Sequence, residues 1–364
     1  MPEERERLCK VWLASSQSLG CKARDRLYAA YGNAEAVFDL FSPDFLDIIG
    51  NKAYQELKKT RDMGLDKLAL ALERIGAGVA LPGDKAYPEI LNNIIDPPDL
   101  LFFKGILRRE EARSIALVGS RRETRYGREQ AHKIARGLAQ NGITVVSGLA
   151  RGIDTAAHLG ALEGHGRTVA VLGSGINNIY PPENKELAER IIASGGAVIS
   201  EFAPGAPPAA YHFPFRNRLV SGLCQGVMLI EAREKSGTLI TVGHALAQGR
   251  EVFALPGPVD MPGSRVPHQM LREGARLATS HEDILEDLGW SQPVPKARQL
   301  EFIPPDLTNE QRRIYDALCD EPLGFEELAD RTSFEVMELN AQITLMELGG
   351  LIQTLPGRVF RRTH

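Results

Sequence analysis

Residues 114–154 read SIALVGSRRETRYGREQAHKIARGLAQNGITVVSGLARGID, and they show the pattern from which the fold is predicted. An apolar run at residues 115–118 is followed by a glycine loop and by a helical pattern over residues 126–140. A second apolar run and a second glycine loop then lead into another helical pattern that begins at Asp154. Apolar runs of this length suit strands that are buried on both faces of a parallel sheet. The stretch therefore predicts two strand–helix units of an α/β fold.

The same alternation continues as far as residue 257. Four more apolar runs follow, separated by helical patterns, at residues 168–172, 197–201, 227–231 and 251–255. Strands that alternate with helices build a doubly wound sheet with right-handed crossovers. We therefore predict a mostly parallel, doubly wound α/β domain over residues 81–290, whose proline-rich beginning contributes one short strand near residue 101.

The segments on either side of this domain have different patterns. Apolar residues at helical spacing, interrupted by glycines, predict a helical domain without strands over residues 1–80. Four prolines within residues 291–305 predict a semi-rigid linker. Residues 306–364 read as three helices and a β-hairpin, with Thr308 and Gln311 at the spacing of a capping box. This order is typical of a winged-helix domain.

The composition of the chain excludes several classes of protein. Of the 364 residues, 43% are hydrophobic and 25% are charged, which is ordinary for a globular protein. The chain has no apolar run of about 18 residues, and residues 1–10 lack the apolar centre of a signal peptide. We therefore expect a cytoplasmic protein that does not cross a membrane. The four cysteines are widely spaced, which favours reduced thiols over disulfides or a zinc site.

Glycine-rich loops follow four of the predicted strands. Parallel strands end at one edge of a sheet, and ligands bind beyond that edge. Glycines admit close contact with backbone N–H groups, and a helix start adds partial positive charge, so such loops bind phosphate. The alternative is that these glycines only make tight turns. The candidate phosphate-binding residues here are Gly119, Ser120, Arg121, Arg122, Arg151, Gly173, Ser174, Ser236, Gly237 and Thr238.

A second basic segment contains aromatic residues. Residues 213–218 read FPFRNR, and the net charge of −4 means that an anionic partner must meet such a local cluster. A basic groove with aromatic platforms holds single-stranded nucleic acid without reading its sequence. We predict that Asn217 and Arg218 line such a groove and that Phe213 and Phe215 contact bases. The alternative for each aromatic ring is a place in the core.

Motifs of catalysis are missing from the sequence. It has no G-x-S-x-G elbow, no phosphate-binding G-x-x-x-x-G-K-[ST] loop and no dinucleotide fingerprint after the first strand. No pair of histidines has metal-ligand spacing on a helix. We therefore predict no catalytic residue, no metal and no cofactor. Glu231 and Asp154 are the only candidate bases for an enzyme acting on a nucleotide, and Asp154 also suits a helix N-cap.

Taken together, these motifs resemble the DprA/Smf family of bacterial DNA-processing proteins. The matching segments run in the family's order through about 200 residues, at 87–98, 118–121, 147–154, 180–184, 213–218, 236–238 and 255–257. The resemblance implies an extended Rossmann-like domain, preceded by a helical domain like a sterile-alpha-motif or helix-hairpin-helix unit. It also implies a protein that binds single-stranded DNA and loads a RecA-type recombinase onto it during natural transformation.

The resemblance also implies roles for particular residues. It assigns a phosphate to Gly119, Ser120 and Arg121, and it places Arg218 in the same groove, with Lys185 as a further candidate. Family members form homodimers, and the interface would include His268, Leu271 and Leu277. The two leucines also suit a core position.

Two other functions remain open at this point. The related phosphoribohydrolases need a catalytic glutamate where Thr241 stands here, so nucleotide hydrolysis at the glycine-rich edge is the alternative function. The other is a transcriptional regulator that uses the winged helix on duplex DNA. The predicted third helix of that domain, residues 334–348, has no arginine or lysine, which argues against a recognition helix in the major groove.

Overall fold

Nine strands form one sheet in the first of two units, residues 1–290 and 291–364. The structure is a computed structural model, and it describes residues 2–110, 113–234, 236–290, 307–318, 322–355 and 357–362. The strands are β1 (Gly78–Ala80), β2 (Leu101–Gly105), β3 (Ser114–Val118), β4 (Thr144–Ser147), β5 (Thr168–Val171), β6 (Ala197–Ser200), β7 (Gly226–Leu229), β8 (Glu251–Ala254) and β9 (Arg276–Leu277).

The strand order is β1-β2-β6-β5-β4-β3-β7-β8-β9. Strands β3 to β9 pair in parallel, whereas β2 pairs antiparallel with β6 and with β1. The chain moves from β3 to β6 in one direction and then returns to β7 on the other side of β3. The carboxyl ends of β3 and β7 therefore lie on either side of the point where the winding reverses. This point is the usual ligand-binding crevice of this architecture.

Helices cover both faces of the sheet. They are α6 (Arg125–Gln140), α7 (Ile153–Glu163), α8 (Lys185–Ala193), α9 (His212–Gly222), α10 (Thr238–Ala247), α11 (Arg265–Arg272) and α12 (His281–Asp287). The central strands are buried along their whole length, and alternate side chains enter two separate apolar clusters. Burial on both faces is the reason that these strands read as continuous apolar runs. The predicted doubly wound, mostly parallel α/β fold is confirmed.

Five helices precede the sheet: α1 (Pro2–Ala14), α2 (Cys21–Tyr31), α3 (Ala34–Asp39), α4 (Leu46–Met63) and α5 (Leu65–Arg74). They enclose their own apolar cluster around Trp12, Phe45 and Leu57. Val11 and Leu72 instead join a cluster that lies under β2 and β6. The helical region is thus packed onto the sheet, and the domain boundary after residue 80 stays a prediction.

The expectation of no strand within residues 1–80 is wrong. Strand β1 pairs with β2, and the aromatic ring of Phe103 covers Gly78 so closely that a Cβ there would lie 2.5 Å from the ring. A strand of three residues is too short to show an alternating pattern. It is defined by its partner, which the local sequence does not reveal.

The second unit is a winged helix, as predicted. Its helices are α13 (Asn309–Ala317), α14 (Phe325–Thr332) and α15 (Val336–Leu348), and its sheet contains β10 (Leu323–Gly324), β11 (Ile352–Leu355) and β12 (Val359–Arg362). The capping box forms as expected, since Thr308 and Gln311 exchange side-chain to backbone hydrogen bonds of 3.1 and 3.2 Å. The predicted linker, residues 291–305, lies outside the described residues.

None of the helices in the described ranges is long and apolar enough to span a membrane.

Candidate nucleic-acid interface

A groove of about 750 Å³ opens at the carboxyl ends of β3, β4 and β7. The loops after these strands form one side, and α9 with the loop before it forms the other. The groove brings together nine of the predicted residues, which lie in three separate segments of the chain: Gly119, Ser120, Arg121, Arg122, Phe213, Asn217, Ser236, Gly237 and Thr238. The reversal of winding between β3 and β7 places these segments side by side.

Arg121 is one of three exposed arginines that line this groove, together with Arg122 and Arg233. Its guanidinium carbon lies 5.0 Å from the centroid of the Phe213 ring. It makes no ion pair within the described part of the chain, so its charge is available to an anion. A cation that rests on an aromatic face keeps its position without losing that charge. A smaller recess of about 230 Å³ shares both side chains and extends the groove toward Arg151 and Tyr180.

Two glycines allow the loops after β3 and β4 to meet. A Cβ at Gly152 would lie 2.2 Å from the carbonyl oxygen of Ser120, and Gly152 has a φ of +81°. The N–H of Ile153 donates to that same carbonyl over 3.2 Å. At Gly119, a Cβ would lie 2.6 Å from the Ile153 side chain. The path of the Gly119–Arg121 backbone therefore depends on the absence of side chains at these two positions.

Asp154 is not the N-cap of α7, contrary to the sequence-based expectation. Gly152 occupies that position, and Asp154 lies in the first turn. Its Oδ2 accepts hydrogen bonds from the N–H groups of Gly148 and Ala150 over 3.1 and 3.2 Å. Burial raises the pKa of Asp154, and the charge of Arg216 opposes that shift. The difference arises because α7 already begins at Ile153, which makes Gly152 the N-cap and places Asp154 at the second helical position.

Arg216 is a groove residue that sequence reasoning did not select. Its side chain is only 4% exposed, and one terminal nitrogen donates to the carbonyl of Gly148 over 2.7 Å. Burial lowers its pKa to about 10, against the opposing effect of the Asp154 charge. The helical spacing of residues 213, 216, 217 and 220 could have found it, because all four line the groove from one face of α9.

Arg218 and Phe215 do not reach the groove, although Arg218 was predicted to line it and Phe215 to contact bases there. The guanidinium of Arg218 is buried and contacts Glu201 at 2.8 Å and Asp96 at 3.4 Å. The ring of Phe215 covers the same guanidinium, with its centroid 4.0 Å away. Two residues along a helix point in nearly opposite directions, so Arg218 cannot share the face of Arg216. Arg218 is therefore held in a buried ion pair and does not line the groove.

Four further candidates lie beside the groove but do not line it. Gly173 packs under Phe213, where a Cβ would lie 2.8 Å from the ring. Ser174 is buried, and its hydroxyl donates to the carbonyl of Asn178 over 2.6 Å. Lys185 is exposed at the first residue of α8, and Arg151 is exposed and paired with Glu183. Arg151 lines the smaller recess, whereas Lys185 lines neither space.

Glu231 holds a helix start and does not line the groove. It is 6% exposed, and its carboxylate accepts hydrogen bonds from the backbone N–H and the hydroxyl of Thr124, the N-cap of α6. A carboxylate at a helix N-terminus is stabilised by the helix dipole and in turn holds the helix start in place. The other candidate base, Asp154, lines the groove but already accepts two backbone hydrogen bonds.

The three predicted interface residues lie toward the β9 edge of the sheet. Leu277 belongs to β9, the edge strand, and its side chain is 55% exposed. His268 and Leu271 belong to α11, and the Nε2 of His268 accepts from the N–H of Gly257 over 3.4 Å. Leu271 is half-buried against the core. Their place in an interface stays a prediction.

Comparison with known proteins finds matches along most of the chain. The family model described as DNA recombination-mediator protein A matches residues 78–289, and the model of the DprA winged helix domain matches residues 298–358. Protein Smf of Escherichia coli K12 is 41% identical over 286 residues, which cover 77% of this chain and 76% of that protein. The DNA processing protein DprA of Streptococcus pneumoniae is 45% identical over 204 residues, 56% of this chain and 72% of the relative.

Two solved structures resemble this fold. The X-ray structure of DprA from Streptococcus pneumoniae has a TM-score of 0.64 at 36% identity, covering 77% of this chain and 97% of that one. The structure of DprA from Helicobacter pylori, described with a single-stranded DNA binding mode, has a TM-score of 0.51 at 27% identity. It covers 58% of this chain and 95% of the neighbour.

Proposed function

Because the chain belongs to the DNA recombination-mediator protein A family, we propose that it binds single-stranded DNA in the groove beside β3 and loads a RecA-type recombinase onto it during natural transformation. The observation that carries this proposal is the exposed Arg121 guanidinium on the Phe213 ring, at the mouth of the groove. A cation for phosphates beside an aromatic platform for bases is the usual chemistry of single-strand binding.

Phosphates of the strand contact the loop after β3. The groove-lining residues there are Gly119, Ser120, Arg121 and Arg122, and the loop before α10 adds Ser236 and Gly237. Thr238 begins α10, so backbone N–H groups and the partial positive charge of that helix also face this edge. Binding of this kind is independent of sequence and falls steeply with salt concentration.

Strand binding without turnover is the form of this function that we favour. The Glu231 carboxylate is occupied by Thr124, and Asp154 is buried among backbone N–H donors beside Arg216. Thr241, which lines the groove, stands where a related hydrolase family has its glutamate. These arrangements favour a binding groove over the alternative of a nucleotide-processing enzyme.

The exposed face of α10 is our candidate for the recombinase contact. Ile240 and Leu246 are 40% and 62% exposed, and the helix carries no acidic residue, lysine or arginine. Ile95 lies near α10 beside a recess that also contains Ala247, and it is 70% exposed. Exposed apolar side chains on a helix without acidic residues, lysine or arginine favour protein association, and Ile240 also lines the groove. Their position next to the groove would bring a recombinase close to the bound strand.

A homodimer is the assembly we propose, with the β9 edge as the contact. An open edge strand offers unpaired backbone groups, and Leu277 adds an exposed apolar side chain. Two copies would then present two grooves to one strand. Such an arrangement accounts for cooperative binding without further contacts.

Fluorescence anisotropy with a labelled single-stranded oligonucleotide tests the main proposal. We expect saturable binding that duplex of the same length competes for weakly. The logarithm of the binding constant should fall with the logarithm of salt concentration, at about 0.7 per phosphate contact. A preference for duplex, or a binding constant that does not change with salt concentration, would contradict the proposal and favour the enzyme or regulator hypothesis.

A further inference from the structure

The smaller recess of about 230 Å³ beside the groove has no role in the proposed function, and we call it the side recess. Four side chains line both the groove and the side recess, those of Arg121, Arg122, Tyr180 and Phe213. Arg151, on the loop after β4, lines the side recess and not the groove. The two spaces therefore adjoin, and a strand that occupies the groove reaches the side recess without leaving the surface.

Tyr180 has the more exposed of the two aromatic rings that line the side recess. It is 38% exposed, whereas Phe213 is half-buried. The Phe213 ring already has the Arg121 guanidinium 5.0 Å from its centroid, and it packs against Gly173. The centroids of the Tyr180 and Phe213 rings lie 5.8 Å apart at an interplanar angle of 51°, so the two rings are not stacked on each other. Tyr180 therefore offers ring surface on which a planar group can stack.

The backbone that lines the side recess is already hydrogen-bonded within the protein. The N–H groups of Gly148 and Ala150 donate to Oδ2 of Asp154 over 3.1 and 3.2 Å. The carbonyl of Gly148 accepts from Arg216 over 2.7 Å. The carbonyl of Ala150 accepts from the Thr155 hydroxyl over 2.8 Å. Because these four groups have partners inside the protein, the side recess favours stacking, which all bases share, over recognition of base edges.

Arg151 supplies a positive charge at the side recess. Its side chain is 58% exposed and pairs with Glu183, which is 49% exposed. Ion pairs between side chains as exposed as these contribute little to stability. A phosphate can therefore replace the Glu183 carboxylate as the partner of Arg151. Arg122 is also exposed at the side recess, and it makes no ion pair with any residue that the structure describes.

From this geometry we propose that the bound strand continues from the groove into the side recess, where Tyr180 stacks on one base and Arg151 contacts the adjoining phosphate. The volume of the side recess is below the roughly 300 Å³ at which small-molecule sites begin, so it suits a single base. The inference rests on the proposed function. It adds the direction of the strand, which crosses the loop after β3 toward the loops after β4 and β5.

Anisotropy with two strands that carry the same phosphates tests the role of Tyr180. One strand is oligothymidine, and the other is an abasic strand of the same length. We expect Tyr180→Ala to bind oligothymidine about tenfold more weakly than the parent protein does, since stacking on one aromatic contributes roughly this much. The abasic strand should bind equally to both proteins. Tyr180→Phe keeps the ring and should bind both strands as the parent does.

Tyr211→Ala is the matched control, because Tyr211 is 65% exposed and lines neither the groove nor the side recess. This variant should bind oligothymidine as the parent does. Equal affinity of Tyr180→Ala and the parent for oligothymidine would overturn the role of Tyr180. The same conclusion would follow if Tyr180→Ala lost as much affinity for the abasic strand as for oligothymidine, or if Tyr211→Ala showed the same loss.

A salt series tests the role of Arg151. Arg151→Ala should reduce the salt dependence by about the 0.7 that one phosphate contributes, whereas Tyr180→Ala should leave it unchanged, because stacking releases no counterions. Arg136→Ala is the control, since Arg136 is 50% exposed, pairs with Glu163 and lines neither space. An unchanged salt dependence in Arg151→Ala would exclude the phosphate contact.

The same measurements separate this inference from the proposed function. If Arg121→Ala weakens binding but Tyr180→Ala and Arg151→Ala do not, the strand occupies the groove and does not enter the side recess. A parent protein that binds no single strand would overturn the proposed function and the role of the side recess together.

Discussion

Arg216 and Arg218 stand two residues apart and have different environments. One lies on the floor of the groove beside Asp154, and the other is buried with Glu201 under the ring of Phe215. Adjacent basic residues in a sequence therefore do not form one basic surface. The helical rotation of about 100° per residue separates them, and this rotation can be read from the sequence once the helix bounds are known.

Arg121→Ala should weaken strand binding about tenfold and reduce the salt dependence by roughly the 0.7 that one phosphate contributes. Arg121 is the exposed cation on Phe213, so its loss removes charge without disturbing a buried group. Anisotropy across a salt series measures both effects. Arg125→Ala is the matched control, because Arg125 is 91% exposed, pairs with Glu129 and does not line the groove. Equal losses in the two variants would contradict the assignment.

His158 should make the first unit less stable in mild acid. Burial, with a smaller effect of the Arg216 charge, lowers its pKa from 6.5 to about 3. A histidine that stays neutral in the folded protein makes its full contribution to stability only above the pKa that it has in the unfolded chain. That stability is lost as pH falls from 6.5 toward 3, at about 1.4 kcal/mol per pH unit.

We expect urea unfolding of the parent protein to lose about 2 kcal/mol from this group between pH 7.5 and pH 5. Both tryptophans, Trp12 and Trp290, lie in the first unit and report on its unfolding. His158→Asn keeps a donor near Thr168, whose hydroxyl oxygen lies 2.7 Å from Nδ1 of the histidine. This variant should lose less stability over the same pH range, and an equal loss would refute the assignment.

At the scale of elements, the loops after β3 and β4 are defined by contacts between backbones. The carbonyl of Ser120 and Cα of Gly152 leave no room for a side chain. From the sequence, phosphate binding and tight turns are alternative roles for the glycines at this edge. In the structure the two roles are compatible, because the tight turns give the groove its shape. The loop that carries Arg121 depends on its neighbour in space, residues 147–152.

Gly152→Ala should weaken strand binding at least tenfold. Its new Cβ would lie 2.2 Å from the Ser120 carbonyl, so the loop before Arg121 must move. Gly142→Ala is the control, because Gly142 has a similar φ of +74° and nothing within 4 Å of its Cβ position. Both variants should lose on the order of 1 kcal/mol of stability from the positive φ. Only Gly152→Ala should also lose affinity, which anisotropy measures.

The exposed face of α10 gives a prediction about the recombinase. Leu246→Glu introduces a charge on an apolar surface and should reduce recombinase loading severalfold while strand affinity stays unchanged. Loading is measured as strand-dependent ATP hydrolysis by a RecA-type recombinase on DNA covered with single-strand-binding protein. The control is Leu348→Glu, an 82% exposed leucine in the second unit. Normal loading by Leu246→Glu would exclude this face.

At the scale of the whole molecule, the open edge of the nine-stranded sheet is the feature with the clearest consequence. Strand β9 has only two residues, both exposed, and Leu277 presents its side chain to solvent there. Because the strand itself is short, we attribute the proposed association with a second copy to the exposed apolar side chain of Leu277.

Leu277→Glu should convert a dimer into a monomer, because it places two like charges across the shared edge. Light scattering after size-exclusion chromatography measures the change. The control is Leu70→Glu on α5, where the leucine is 49% exposed and the helix packs beside β2 and β6, at the other end of the sheet from β9. Strand binding by the monomer should lose its cooperativity but keep salt dependence. A dimer that survives Leu277→Glu would exclude this edge.

The α/β class, the strands β3 to β8 and the winged helix could all be predicted from the sequence alone. Strands buried on both faces must be apolar throughout, and amphipathic helices must repeat at helical spacing, so these elements leave a local pattern. The position of the glycine loops at one edge could be predicted in the same way, since parallel strands all end there. Seven groove residues follow from that rule, whereas Phe213 and Asn217 were predicted from the basic segment that contains aromatic residues.

Which cations face the groove, and where β1 and β9 pair, depend on contacts that form only in the folded protein. Arg218 is held outside the groove by ion pairs with Asp96 and Glu201, which lie in other segments of the chain. Strand β1 forms because it pairs with β2. The cavity lined by Gln17 and Tyr211 likewise requires the helical region to pack against the loop before α9. Ion pairs, strand pairs and cavities form between segments that are distant in the sequence. The local pattern of one segment does not show which distant segment will lie beside it.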